Sequence, residues 1–130
     1  MQNSHATGNV TGGEDILGQL FGVGGLIGDS TGAVQDSFAT GNVTGIQDVG
    51  GLIGFNYDGI VQSSHATGNV SGQRFVGGLI GWNEGTVKDS HATGNVSGVE
   101  DVGSLIGENS YGTVENSYGT GNVSIEPDSG

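Results

Sequence analysis

The side chains with chemistry to offer in this chain recur at regular intervals. Threonine and asparagine alternate as Thr-x-Asn at Thr7 and Asn9, Thr40 and Asn42, Thr67 and Asn69, Thr93 and Asn95, and Thr120 and Asn122. Ordered hydroxyls and amides in such an array are able to template water, which is the chemistry of an ice-binding surface. A structural reading competes with it: Thr favours strands, Gly-Asn makes a turn, and stacked Asn amides bond along a ladder. His5, Phe38, His65, His91 and Tyr118 share one position beside this array and would roughen an ice-matching plane. His65 and His91 fall on neighbouring repeats, near enough to share a metal ion, yet no third ligand type accompanies them. The stripe therefore reads as solvated aromatic surface, able to stack against sugar rings, and neither a metal nor a cofactor is expected.

Other motifs dissolve into the same regularity. The five Asn-Val-Ser/Thr triplets, from Asn9 to Asn122, are formal glycosylation sequons. Full occupancy would crowd sugars at ~4.8 Å intervals, so they read as by-products of repetition. Acidic residues (Asp29, Asp36, Asp48, Asp58, Glu84, Asp89, Glu100, Asp101) scatter over turns without a calcium-loop pattern. A catalytic carboxylate pair would break the repeat, whereas Glu100-Asp101 only echoes Gln47-Asp48. No serine sits in a nucleophile elbow, no His-Glu-x-x-His occurs, and Gly22-Val-Gly24 lacks the third glycine of a dinucleotide fingerprint. The chain is read as non-enzymatic.

Composition narrows the partners. The chain has 130 residues, 14 Asp and Glu against 2 Lys and Arg, and a formal charge of −12. Such a surface repels nucleic acid and anionic membranes, so neither is expected as a partner. No apolar run approaches the ~20 residues of a membrane span. Cysteine is absent, so no disulfide or thiolate chemistry is available. Met1-Gln2-Asn3-Ser4 shows no basic or apolar leader. The expectation is an excised piece of a larger protein or a chain whose export signal has been removed. Twenty-nine glycines and few aromatics make a poor core, and order has to come from repetition.

That repetition is explicit. Five blocks align without gaps, beginning at Ser4, Ser37, Ser64, Ser90 and Ser117, the last reading Ser117-Tyr-Gly-Thr-Gly-Asn-Val123. A second block, Val-Gly-Gly-Leu-Ile-Gly, starts at Val23, Val49 and Val76, and recurs as Val102-Gly-Ser-Leu-Ile-Gly107. A third, Gly-x-Val, ends at Val34, Val61, Val87 and Val114. Pieces this short and Gly-rich, with β-branched residues alternating, are strands and not helices. The predicted fold is all-β: a parallel β-solenoid (parallel β-helix), about one coil of three short strands per 26–27-residue repeat. It forms a single domain over residues 1–130, four full repeats plus a fifth half-repeat. Residues 13–22 form an insertion in the first coil and 125–130 a C-terminal tail.

Alternation puts Ser4, Ala6, Gly8 and Val10 inside, and His5, Thr7 and Asn9 outside. The Val23, Val49, Val76, Val102 and Ile27, Ile53, Ile80, Ile106 columns join the interior. Leu and Ile are consecutive, so strict alternation cannot bury both. Either the glycines turn the chain there, or Leu26, Leu52, Leu79 and Leu105 form an exposed ladder, a contact surface for another chain.

Val76-Gly-Gly-Leu-Ile-Gly-Trp-Asn-Glu-Gly85 and Asp89-Ser-His-Ala-Thr-Gly-Asn-Val-Ser-Gly98 resemble the GLUG motif family. That resemblance implies a bacterial extracellular or cell-surface protein and a stalk or display module rather than a catalytic part. The function expected is a non-catalytic structural and interaction module: a stalk, an adhesin segment, or a filament subunit. Its partner is then itself, stacked end to end, or neighbouring repeats of a larger protein. An ice-binding protein and a carbohydrate-binding adhesin face are the alternatives, with ice or glycans as ligands.

Overall fold

One repeat has too few apolar side chains to enclose a core, whereas stacked repeats share one. The computed structural model describes residues 1–12 and 22–126. They wind as a parallel β-solenoid of about four turns, ~27 residues to a turn. Each full turn carries five strands instead of three; in the second turn these are Phe38–Ala39, Val43–Thr44, Gln47–Gly50, Ile53–Asn56 and Ile60–Gln62. The bends at Thr-Gly-Asn and Gly-Gly-Leu each divide one expected strand in two. Strands pair in parallel with their counterparts one repeat away, making two five-stranded and three four-stranded sheets. Register follows the repeat: Ala39 opposes Ala6 and Ala66, Val61 opposes Val34 and Val87, and Val76 opposes Val49 and Val102. The last strand runs Val123–Ile125, so the tail begins one residue later than expected. All of the predicted insertion except Gly22 lies outside the described residues, as do 127–130.

Two glycine columns set how tightly the coils wind. At the first bend a Cβ on Gly41, Gly68, Gly94 or Gly121 would strike the carbonyl oxygen of the glycine one coil above, so backbone packs directly on backbone there. At the second, a Cβ on Gly51 would lie 2.9 Å from the Cβ of Ala66, and one on Gly78 3.0 Å from that of Ala92. Glycine against alanine pinches the coil into a waist between two apolar clusters. On one side stack the Val34, Leu52, Ile53 and Ala39 columns; on the other stack the Val43 and Val49 columns. In the fourth turn Ser104 replaces the glycine, and the facing alanine becomes Gly119. The side-chain atoms have changed sides, and the waist keeps its width.

The exposed leucine ladder does not exist. Leu52 and Leu79 are fully buried, and Leu26 and Leu105 pack partly buried against the same cluster. The Gly-Gly bend is followed by a local doubling of the ladder: the amides of Leu52 and Ile53 both donate to the carbonyl of Leu79, at 2.9 and 3.0 Å. Two successive residues oppose one, as in a β-bulge, and both side chains turn inward. Burial contributes about 1.5–3 kcal/mol for each such side chain, which is why the glycine alternative wins.

Two buried polar ladders hold the remaining corners. Ser37 N–H donates to Ser64 Oγ at 3.2 Å, Ser64 N–H to Ser90 Oγ at 3.2 Å, and each buried hydroxyl donates to a carbonyl two residues back. The residue before each serine takes a left-handed conformation, as at Asp36 (φ 50°) and Asp89 (φ 49°), which Asp and Asn tolerate. Asn56 and Asn83 are wholly buried, and Asn56 Nδ2 donates to Asn83 Oδ1 at 2.8 Å, as Asn83 Nδ2 does to Asn109 Oδ1. At the top of that column the first coil has Ser30, which opposes Asn56, and Asn56 Oδ1 is left without a donor among the described residues.

These corners yield two stability predictions. Gly119→Ala puts a Cβ against the Ser104 backbone and lowers stability by about 1–3 kcal/mol; adding Ser104→Gly restores most of it, whereas independent losses in the thermal melts would refute the waist. Ser30→Asn gives Asn56 Oδ1 its missing donor and raises stability by about 1 kcal/mol, readable as a shift in urea midpoint.

Candidate functional site

The Thr-x-Asn array lies where the chain bends. Thr40, Thr67 and Thr93 are exposed in one column, Asn42, Asn69 and Asn95 in the next, and the buried glycines between them mark the bend. The structure thus brings all ten predicted residues, Thr7 to Thr120 and Asn9 to Asn122, into two parallel columns flanking a corner. The asparagines are already engaged: Asn9 Oδ1 accepts from the Asn42 amide at 2.9 Å, and Asn42 Oδ1 from the Asn69 amide at 2.9 Å. The lower pairs, Asn69 with Asn95 and Asn95 with Asn122, repeat the bond at 3.0 and 3.1 Å. Their carbonyl ends fasten one coil to the next, and the threonines form an exposed hydroxyl column on the other side of the bend.

The aromatic stripe is one continuous stack. His5, Phe38, His65, His91 and Tyr118 lie with successive ring centroids 5.0 to 5.2 Å apart and planes within 9° of parallel. Partial burial, then the neighbouring His91, pushes the His65 pKa below its usual value. Among the described residues no three His, Asp or Glu side chains gather to hold a metal ion.

A second aromatic group interrupts the repeat on a different face. The position after Leu-Ile-Gly holds Asp29, Phe55, Trp82 and Glu108 in successive coils, so two aromatic rings sit between two acids. Phe55 stacks on Trp82 with centroids 5.6 Å apart, Phe75 tilts against Trp82 at 4.6 Å, and the half-exposed Tyr57 lies 6.1 Å from Phe55. Arg74 lies over the Phe75 ring at 5.1 Å and pairs with Glu100 at 3.3 Å. The signal for this cluster was present in the sequence as a column that fails to repeat. It goes unread when attention rests on the columns that do.

Three strains meet there. Phe75 adopts φ 56° where the coils above and below place Asp48 and Asp101 in the same left-handed conformation; a bulky residue pays about 1–2 kcal/mol for it. Among the described residues, Trp82 Nε1 is buried with no hydrogen-bond partner. Asp48, read among the acids scattered over turns, is buried at 8% exposure, and its Oδ1 has no partner among the described residues either. Each orphaned polar atom costs about 1–3 kcal/mol. Burial raises the Asp48 pKa from 3.8 to about 6; the Asp29 charge adds to the rise, and Arg74 opposes it.

Comparison with known proteins bears on the repeat itself. The GLUG motif model matches residues 45–71 and 76–97, so the chain carries GLUG repeats from its second turn into its fourth. No curated protein and no solved structure matches the chain.

The buried carboxylate gives a pH prediction. At pH 7 Asp48 is charged in both states, but its charge is penalised only in the folded one. Asp48→Asn, which tolerates the same backbone, therefore stabilises by about 1–3 kcal/mol at pH 7. The gain shrinks as pH falls from 6 toward 4 and is gone only below 3.8, where the carboxyl is neutral in either state. His65 acts in the opposite sense, losing stability as pH falls through ~6.5. Urea denaturation of parent and variant across that range isolates Asp48, and a gain independent of pH would refute the assignment.

Proposed function

We propose that the chain is a non-catalytic structural and interaction module of a bacterial extracellular or cell-surface protein, a rigid spacer whose coils add end to end. The observation that carries this reading is the continuity of its ladders. Backbone, Ser, Asn, Val and Gly columns run from coil to coil, so most side chains that repeat are spent on stacking. The last described coil carries the same columns. Val114, Val123 and Ile125 are exposed at 38%, 41% and 67%, although the valines' counterparts Val87 and Val96 are buried in the turn above. An open coil edge with apolar columns is a template for a further coil, either of the same polypeptide or of a second copy.

The GLUG repeats support the surface setting, and the strongly acidic exterior suits a soluble display element. The Thr-x-Asn ladder belongs to the same reading. Its columns flank a bend instead of forming one plane, and the Asn carbonyls are committed to the coil below.

Two measurements test the module. Electron microscopy of the pure protein, with sedimentation over a concentration series, is expected to show rods that lengthen by end-to-end addition. Val123→Lys on the open edge should stop the lengthening without lowering the melting temperature. Isolated short rods at every concentration would refute self-stacking and leave only a spacer within one chain. Spacer behaviour is checked by fusing two copies in repeat phase: one cooperative melt and one straight rod are expected, and two independent melts would refute it.

A further inference from the structure

Columns that hold the solenoid together repeat because each coil must match the next; columns facing solvent carry no such obligation. The aromatic group on the second and third turns is therefore not required by the repeat, and it carries costs beside its stacking. It contains a phenylalanine at φ 56° and, among the described residues, a buried indole N–H without an acceptor and a buried carboxylate oxygen without a donor. These features occupy neighbouring positions. Asp48 and Phe75 are equivalent residues of adjacent coils, since Val49 and Val76 pair directly after them. A Cβ built on Gly81, next to Trp82, would lie 2.6 Å from the Asp48 carbonyl carbon and 2.7 Å from the Phe75 carbonyl oxygen.

We propose that Phe55, Tyr57, Phe75 and Trp82, with Asp48 and Asp29 beside them, form a binding site for a neutral sugar residue of a glycan chain. The choice of ligand follows from what the site lacks. It offers apolar ring surface, one donor seeking an acceptor and one acceptor seeking a donor. A pyranose supplies all three, with C–H groups on its face and hydroxyls that both donate and accept. A quaternary ammonium ion would satisfy the rings and the carboxylate but not the indole N–H. Polyanions are repelled by the −12 charge. Both orphaned atoms are buried, so the sugar reaches them only once the Trp82 indole swings outward. The site would give the spacer a ligand of its own, whether the rod is one chain or many.

Trp82 is the single tryptophan of the chain, so its fluorescence reports the site without interference. Titration with chitotriose, lactose and maltotriose at millimolar concentrations is expected to give a saturable emission change with at least one of them. Phe55→Asp with Tyr57→Ser should weaken it by about tenfold or more. Both replacements are the chain's own alternatives at those positions, in Asp29 and Ser110, so the fold accepts them. Calorimetry on Trp82→Glu, which copies the residue the next coil carries at Glu108, is expected to show no binding. A flat emission across the neutral oligosaccharides overturns the proposal. So does a response to tetramethylammonium in their place, or a sugar response unchanged in the double variant.

Discussion

Everything in this molecule depends on how closely one turn of backbone lies upon the next. Parallel strands hydrogen-bond at ~4.8 Å, and a coil that closes within about 27 residues must also turn five corners without lifting off its neighbour. At the Thr-Gly-Asn corner there is no room for any side-chain atom between successive turns, and at the Gly-Gly corner only an alanine methyl fits opposite. Glycine is thus the residue that lets the ladder run unbroken through a bend. The chain's poverty in apolar bulk follows from the same geometry. A core so narrow is filled by Val, Ala, Leu and Ile columns, and larger side chains have no place in it.

This constraint explains why so much of the fold was legible in the sequence. A period shared by Ser, Ala, Gly and Val columns fixed strand direction, register and the inward faces, because in a solenoid the repeat length is the distance to the hydrogen-bonding partner. Corner geometry was less legible. The Leu-Ile pair is a conflict under strict alternation, and only the doubling of donors onto Leu79 shows how the chain resolves it. Ser104 opposite Gly119 looks like two lapses in the repeat, yet the two are one exchange across the waist. Such a pair sits in different blocks of the sequence, and its meaning depends on a contact that periodicity does not report.

The asparagines show the same limit from another side. Beside the outer column a second one runs as Asn56, Asn83 and Asn109, with Ser30 in the first coil. The outer lies at a bend with its side chains exposed, each lending a carbonyl to the coil below; the other is buried at Asn56 and Asn83 and bonds amide to amide. An amide inside a coil has to spend both its ends, which Asn83 does and Asn56, beneath Ser30, does not. The outer column has one end to spare. The polarity of a repeat ladder therefore depends on which side of the wall it occupies.

Regularity also changes what counts as a sign of function. In an irregular domain a conspicuous cluster of like residues attracts suspicion; in a solenoid such clusters are the ordinary consequence of stacking, as the His and Thr columns illustrate. The informative residues are those that stacking does not require and that stability does not favour. Asp29, Phe55, Trp82 and Glu108 occupy one column, where any polar residue would be accommodated. The two aromatic members bring with them a strained phenylalanine and a hidden, unpaired indole nitrogen. A rod made only to hold distance does not need them. Their cost is intelligible if the middle of the rod meets something, and the acids above and below then limit what that something is.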